Sequence, residues 1–278
     1  MATVGTAQAI VPGGFVVALV GPDGVGKTSQ TAEVTRALQR QFRCSAVYLG
    51  SGNGGWRLRR FVRRQFHKWR PRRIKPGSET SATAPRREFY TNHSVTTALA
   101  GLGIALERYV TLRRAMRLAS SGSIVISDRW PQNLQPGLFD GPLQLIPSAS
   151  AMVRLLSRFE LDLYRRMQKR GPDLMIHLVS DYETSSARKP GDRSRSQFDL
   201  RMALMQEMRL RNPNIRTVDA RNQFDVVTAE LLECVRIALT QQTAQRQPLS
   251  PPVRSAREGD AHDRPETRSA RRQRFDRG

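Results

Sequence analysis

Cysteine is nearly missing: only Cys44 and Cys234, far apart, occur in 278 residues. There is no Cys-x-x-Cys pair and no Cys/His cluster, so nothing supports a structural metal site or a disulfide framework. Two lone cysteines fit a reducing compartment. Histidine is sparse too, and His67, His93, His177 and His262 are scattered, which reads as structural or solvent-exposed rather than catalytic. No apolar stretch approaches the roughly 20 residues that span a bilayer. The first dozen residues carry no basic n-region, and the apolar run at residues 15–20 is too short for a signal-peptide core. The expectation is a soluble, cytoplasmic protein. No Asn-Lys-x-Asp segment exists, which argues against a guanine-nucleotide switch. No internal repeat is visible.

Acid is also scarce. The formal net charge is +22 and the hydrophobic fraction is 38%. Such a balance favours anionic partners such as nucleotides, nucleic acid or acidic lipid. The low apolar share implies that part of the chain is not packed. Residues 56–75 contain no Asp or Glu at all, and Trp56, Leu58, Phe61, Val62, Phe66 and Trp69 interleave there with Arg and Lys. From about residue 241 onward Pro, Ser, Arg and small acids dominate. That tail buries too little apolar surface to offset its ordering entropy and reads as disordered.

Between these segments, strand-like and helix-like runs alternate. Residues 15–20 form a continuous β-branched run, as a strand buried on both faces does. Residues 27–41 follow with helical spacing. Short strands are expected at 46–49, 123–127, 174–179 and 215–218. Helices are expected at 92–119, where Leu99, Leu102, Leu106, Tyr109, Leu112 and Met116 keep helical spacing, and at 152–167 on Met152, Leu155, Leu156, Phe159, Leu163 and Met167. Further helices are expected at 183–189, 197–211 and 226–240. Five strands alternating with helices imply an α/β fold: a five-stranded parallel sheet with helices on both faces. The expected organisation is an N-terminal extension (1–13), one domain (14–240) carrying a basic insertion (56–90) and a lid (183–196), and the tail (241–278).

The chemistry enters at Gly21-Pro22-Asp23-Gly24-Val25-Gly26-Lys27-Thr28, which fits the pattern G-x-x-x-x-G-K-[ST]. It lies between a buried strand and a helix, the context in which backbone N–H groups wrap phosphates. Residues 21 to 29, Ser29 included, are the expected ATP-binding loop. Lys27 is expected at the β- and γ-phosphates and Thr28 on Mg²⁺. Asp128 closes an apolar strand, where a carboxylate holds the metal or its water. Arg129 beside it has the fork to clamp a phosphate.

Gly21 to Thr28 together with Ser127-Asp128-Arg129-Trp130 resembles the thymidylate kinase family of nucleoside monophosphate kinases, with Trp130 in place of that family's usual Tyr. Glu107-Arg108-Tyr109, Ala187-Arg188-Lys189 and Asp219-Ala220 extend the similarity over residues 14–240. The resemblance implies a P-loop kinase that moves the terminal phosphoryl group of ATP, with Mg²⁺, onto a nucleoside monophosphate, dTMP first. It implies that Asp23 meets the acceptor sugar or a metal-bound water, and that Arg108 and Arg129 face the acceptor. It further implies that Arg188 and Arg193 are lid arginines acting on the transferring group, and that the protein is a homodimer. Lys27, Asp128, Arg129, Arg188 and Arg193 form the expected catalytic set, with Thr28 and Asp128 on the metal.

The chain departs from the family after the second strand. Gly50-Ser51-Gly52-Asn53-Gly54-Gly55 replaces an Arg-Glu-Pro-Gly-Gly-Thr loop that shapes the acceptor pocket. A hydroxyl acceptor on a nucleoside, sugar or lipid-linked intermediate therefore stays open, with Asp23 or Asp128 as base. So does a nucleic-acid-associated ATPase. Asp140, in Phe139-Asp140-Gly141-Pro142, reads either as a plain turn residue or as a contact to acceptor or metal. Residues 56–75 read as a solvated insertion, or as a weak contact to a polyanion or membrane surface.

Overall fold

The phosphate loop is held by the central strand of a parallel sheet. The computed structural model describes residues 8–50, 95–134, 140–142, 150–190, 194–211 and 215–246. The sheet contains β1 (Phe15–Val20), β2 (Cys44–Tyr48), β3 (Ile124–Asp128), β4 (Leu174–Val179) and β5 (Ile215–Asp219). Their order is β2-β3-β1-β4-β5, and every pairing is parallel. The helices are α1 (Lys27–Leu38), α2 (Val95–Ser120), α3 (Ala151–Gln168), α4 (Tyr182–Arg188), α5 (Arg195–Arg211) and α6 (Phe224–Arg246).

Side chains alternate across β1, and the core divides accordingly. Val16, Ala18 and Val20 pack with Ala105 and Leu112 of α2, Tyr164 and Met167 of α3, and Leu204, Met205 and Met208 of α5. Phe15, Val17 and Leu19 face the other way, toward Val34 of α1 and Val227, Leu231 and Val235 of α6. All six β1 residues are buried, as a strand covered on both faces requires. The α/β P-loop kinase fold expected from the sequence is present. Its crevice lies at the carboxyl end of β1, between β3 on one side and β4 on the other, where the strand order changes direction and open α/β sheets bind ligands.

Two helices bury only part of the apolar face expected from their spacing: Leu112, Leu156 and Met167 are buried, and Leu102, Tyr109, Met116 and Leu163 pack half-buried against the core. On α2 the buried stripe is Ala98, Gly101, Ala105, Arg108, Leu112, Ala115 and Ala119, while Leu99 and Leu106 are exposed. On α3 the buried set is Val153, Leu156, Glu160, Tyr164 and Met167, and Met152, Leu155 and Phe159 are exposed. The reason is close approach. A Cβ added at Gly101 would lie 3.1 Å from the Glu160 carboxylate, so a small residue is needed where α2 meets α3 there, and Leu99 and Leu106 turn outward.

Boundaries shift modestly. α1 stops at Leu38 rather than residue 41. α6 runs to Arg246, six residues into the segment assigned to the tail. Nothing between 241 and 246 breaks a helix, and the Thr243 hydroxyl donates to the Leu239 carbonyl at 2.9 Å; the first proline comes at Pro248. The basic insertion 56–90 and residues 247–278 lie outside the described residues.

Candidate phosphate-binding site

The loop from Gly21 to Thr28 leaves the end of β1 and enters α1 through Gly26, which holds the left-handed N-cap position at φ 85°. Gly24 shows why this loop needs glycine. Its φ is +90°, and a Cβ there would stand 2.5 Å from the Ser185 carbonyl oxygen of α4. The loop is thus packed directly beneath α4. Lys27 is buried, and its ammonium donates to the carbonyls of Gly21 at 2.9 Å and Pro22 at 2.7 Å. Burial first, and Arg129 second, lower its pKa to about 8. It is a cation held against its own loop in an environment that favours deprotonation until an anion arrives.

Thr28 and Asp128 meet as the sequence pattern requires. The Thr28 hydroxyl donates to Asp128 Oδ2 at 2.6 Å. Asp128 is 1% exposed, and its Oδ1 has no hydrogen-bond partner among the described residues. A buried carboxylate oxygen without a partner is costly. Beside a hydroxyl, it forms a hard-oxygen pair suited to a divalent cation. No group of three or more His, Cys, Asp or Glu side chains able to hold a metal exists among the described residues. That is compatible with an ion held by one carboxylate plus ligand oxygens and water, as Mg²⁺ sites commonly are.

Next to this pair runs an alternating chain of charge. Arg129 takes a left-handed conformation at φ 75°. Its N–H donates to the Leu19 carbonyl at 2.9 Å, and its own carbonyl accepts from the Ser127 hydroxyl at 2.7 Å. Arg129 Nη2 donates to Asp23 Oδ1 at 2.6 Å and Nη1 to Asp140 Oδ2 at 3.2 Å. Asp23 Oδ2 accepts from Arg201 Nη1 at 2.6 Å. Asp140 Oδ1 accepts from Arg108 Nη2 at 2.5 Å, and the Asp140 carbonyl from Arg108 Nη1 at 2.9 Å. Arg108 also donates to the Leu49 carbonyl at 3.0 Å and to the Tyr164 hydroxyl. Burial opposes charge on Arg129, but Asp140 and Asp23 outweigh it and hold its pKa above the ordinary range. Burial likewise pushes the Tyr164 phenol up to about 12, so it stays protonated. Val20, Gly21, Lys27, Arg129, Trp130, Asp140, Met205 and Met208 line the cleft between these groups.

Of the expected residues, Lys27, Thr28, Asp128, Asp23, Arg129 and Arg108 come together here. Ser29 lies one position further into α1 and is exposed. Arg188 is elsewhere in this structure: its guanidinium donates to the Ala220 carbonyl at 2.7 Å. Arg193 lies outside the described residues, as do residues 51–55 of the substituted loop. Two participants were not identified as such from sequence. Asp140 was one of two open readings, and Arg201 sits in a stretch that reads simply as helix. No sequence pattern links Arg201 to Asp23 across 178 positions.

No family model matches the chain. Over 231 residues it is 29% identical to the uncharacterized ATP-binding protein YghR of Escherichia coli strain K12, covering 82% of this chain and 88% of that protein. It is 27% identical over 233 residues to the uncharacterized ATP-binding protein YghS of the same strain, covering 81% and 94%. Among solved structures it is similar to thymidylate kinase from Candida albicans, with a TM-score of 0.49, 18% identity, and coverage of 81% of this chain and 92% of that one. At that TM-score the likeness adds nothing to the strand order and loop geometry, on which the fold rests. These define a P-loop, nucleotide-binding protein of kinase-like fold.

Proposed function

We propose that this protein is an ATP- and Mg²⁺-dependent phosphotransferase of the cytoplasm whose acceptor is a small phosphate-bearing molecule. A nucleoside monophosphate is the best candidate and dTMP the first choice, which would give a role in nucleotide biosynthesis. The observation that carries the reading is the side-by-side placement of two charged devices: the Thr28–Asp128 oxygen pair beside Lys27, and the arginines anchored on Asp23 and Asp140. The names of YghR and YghS support ATP as the nucleotide.

Each residue has a task under this reading. The loop amides of residues 21–28 hold the triphosphate, and Lys27 turns from the carbonyls of Gly21 and Pro22 toward its β- and γ-oxygens. Thr28 and Asp128 would hold Mg²⁺, which when bound neutralises charge on the phosphates. Arg129 and Arg108 orient the acceptor phosphate. Arg188 and Arg193 remain proposed contacts to the transferring group. A phosphate oxygen is already ionised near neutral pH and needs no base. A hydroxyl acceptor would need one: Asp23 is poorly suited, because both of its oxygens already accept from arginines at 2.6 Å, and under this reading Asp128 is committed to the cation. This favours the phosphate acceptor over the hydroxyl one.

The test is ADP release measured with a panel of nucleoside monophosphates and hydroxyl acceptors. Turnover with one or more monophosphates is expected, and failure with all of them would defeat the reading. For the homodimer, exposed Leu99 and Leu106 on α2 with Met152, Leu155 and Phe159 on α3 are the surface a second copy would cover. Light scattering would show the dimer mass, reduced in a Phe159→Glu variant. A weak polyanion or membrane contact through residues 56–75 is part of the proposal, and a loss of heparin retention on neutralising their arginines would register it.

A further inference from the structure

Among the described residues, two that are not glycine adopt positive φ: Arg129 at 75° and Asp140 at 61°. A side chain with a Cβ is strained in that region. The two are paired with each other, at 3.2 Å, beside the phosphate loop. Asp140 is 5% exposed, and both its carboxylate oxygens are taken by guanidiniums, Arg108 on one side and Arg129 on the other. A turn alone would be better served by glycine, and a core alone by an apolar side chain, since a buried ion network is weak as a source of stability. Strain and buried charge thus fall on one residue that lines the cleft next to Lys27. On Arg129, Nη1 and Nη2 are held from opposite sides by Asp140 and Asp23, and Nε is buried with no hydrogen-bond partner among the described residues. The guanidinium is fixed in orientation, with a donor still unused.

We infer that Asp140 is a positioning and specificity residue: anchored by the buried Arg108, it holds the Arg129 guanidinium as a preset receptor for the phosphate of a phosphomonoester acceptor. The inference rests on the phosphate-acceptor reading above and deepens it. Without the carboxylate the buried Arg108 and the half-buried Arg129 would repel, Arg129 would reorient, and the geometry that recognises a phosphate would be lost. ATP bound at the loop would be little affected, because its cradle is backbone and Lys27.

The experiment is calorimetric titration of the full chain, in Mg²⁺ and a non-hydrolysable ATP analogue, with inorganic phosphate and with dTMP. Asp140→Asn keeps the shape, and Asn tolerates positive φ. The variant should bind both anions about 10- to 100-fold more weakly, with affinity for the ATP analogue changed less than about twofold. Asp140→Gly, which relieves the backbone strain, should lose the same and answers if the first variant folds poorly. On an Arg129→Lys background, Asp140→Asn should add less than about threefold, because the residue acts through that fork. Unchanged anion affinity in the Asp140 variants would overturn the inference and leave the kinase reading standing. Equal losses for anions and ATP analogue would mark a merely structural role and overturn it too. If the unaltered protein bound the ATP analogue but neither anion, the phosphate-acceptor reading would fall and the inference with it.

Discussion

Lys27 carries the sharpest electrostatic consequence at the scale of single residues. Its pKa lies at about 8, lowered from 10.5 by burial and then by Arg129. The unfolded chain therefore holds more protons than the folded one between those values. Lys27 burial costs most below pH 8, and the cost fades as pH rises toward 10.5. A triphosphate supplies the countercharge that burial withholds, so binding should raise the pKa again. The expected outcome is uptake of up to about one proton on binding Mg·ATP at pH 8.5–9.5, with affinity falling by as much as about tenfold per pH unit above pH 8. Calorimetry in two buffers of different ionisation enthalpy reads the uptake directly. Lys27→Met should abolish both the uptake and this part of the pH dependence, and an unchanged proton count in that variant would refute the assignment.

How far residues could be read from sequence follows from how local their partners are. Lys27 and Thr28 fall within one eight-residue pattern, and Asp128 is marked by ending an apolar strand, so these were legible. Arg201 was not, because its partner Asp23 belongs to a loop met 178 residues earlier. Asp140 has a turn-like neighbourhood, and only the folded chain shows two arginines closing on it. The placement of Arg188 against Ala220 was equally out of reach, since it depends on how α4 lies beside β5.

Among secondary-structure elements, existence and type were more legible than orientation. The strand Leu174–Val179 has the expected limits, because a short β-branched and aliphatic run between turn residues leaves little choice. On α2 and α3, by contrast, apolar residues occupy more than one face, so periodicity could not decide which stripe goes inward. The Gly101–Glu160 approach decided it. A similar close approach fixes the start of β1. Gly14 has φ +67°, and a Cβ there would stand 1.8 Å from the Ala119 carbonyl oxygen at the end of α2. Both partners are backbone, tied through hydrogen bonds from Val11 to Gly122 at 2.9 Å and from Phe15 to Ser123 at 3.2 Å, so neither can swing aside. Gly14→Ala should cost roughly 3–5 kcal/mol through overpacking and positive φ, which is about 10–15 °C in Tm for a domain of this size. Thermal denaturation followed by circular dichroism tests it, and a drop under about 3 °C would contradict the packing described here.

For the whole molecule, charge is distributed unequally along the chain. Residues 56–75 hold ten basic residues and no acid, nearly half of the net +22, whereas residues 247–278 mix both signs with little apolar content. Among the described residues the candidate phosphate site draws its atoms from residues 21–28, 108, 128–129, 140 and 201. The end of α6 is different. Gln242 Nε2 donates to Asp173 Oδ1 at 3.5 Å, while Asp173 Oδ2 accepts from the Val16 N–H of β1 at 2.8 Å. The last turns of α6 thus touch the residue that secures the central strand. A chain ending at Arg246 should keep its Tm within about 2 °C, with ATP affinity and turnover unchanged. A chain ending at Thr240 loses the Gln242 and Thr243 bonds and should be less stable by roughly 1 kcal/mol, about 2–4 °C. Its chemistry should be intact at low temperature, because none of the described residues lost touches the site. Parallel melting curves and ADP-release assays on the two truncations separate the contributions. Equal stability of both would show that α6 beyond residue 240 contributes nothing, and a large activity loss in the chain ending at Arg246 would place a functional group in the deleted segment.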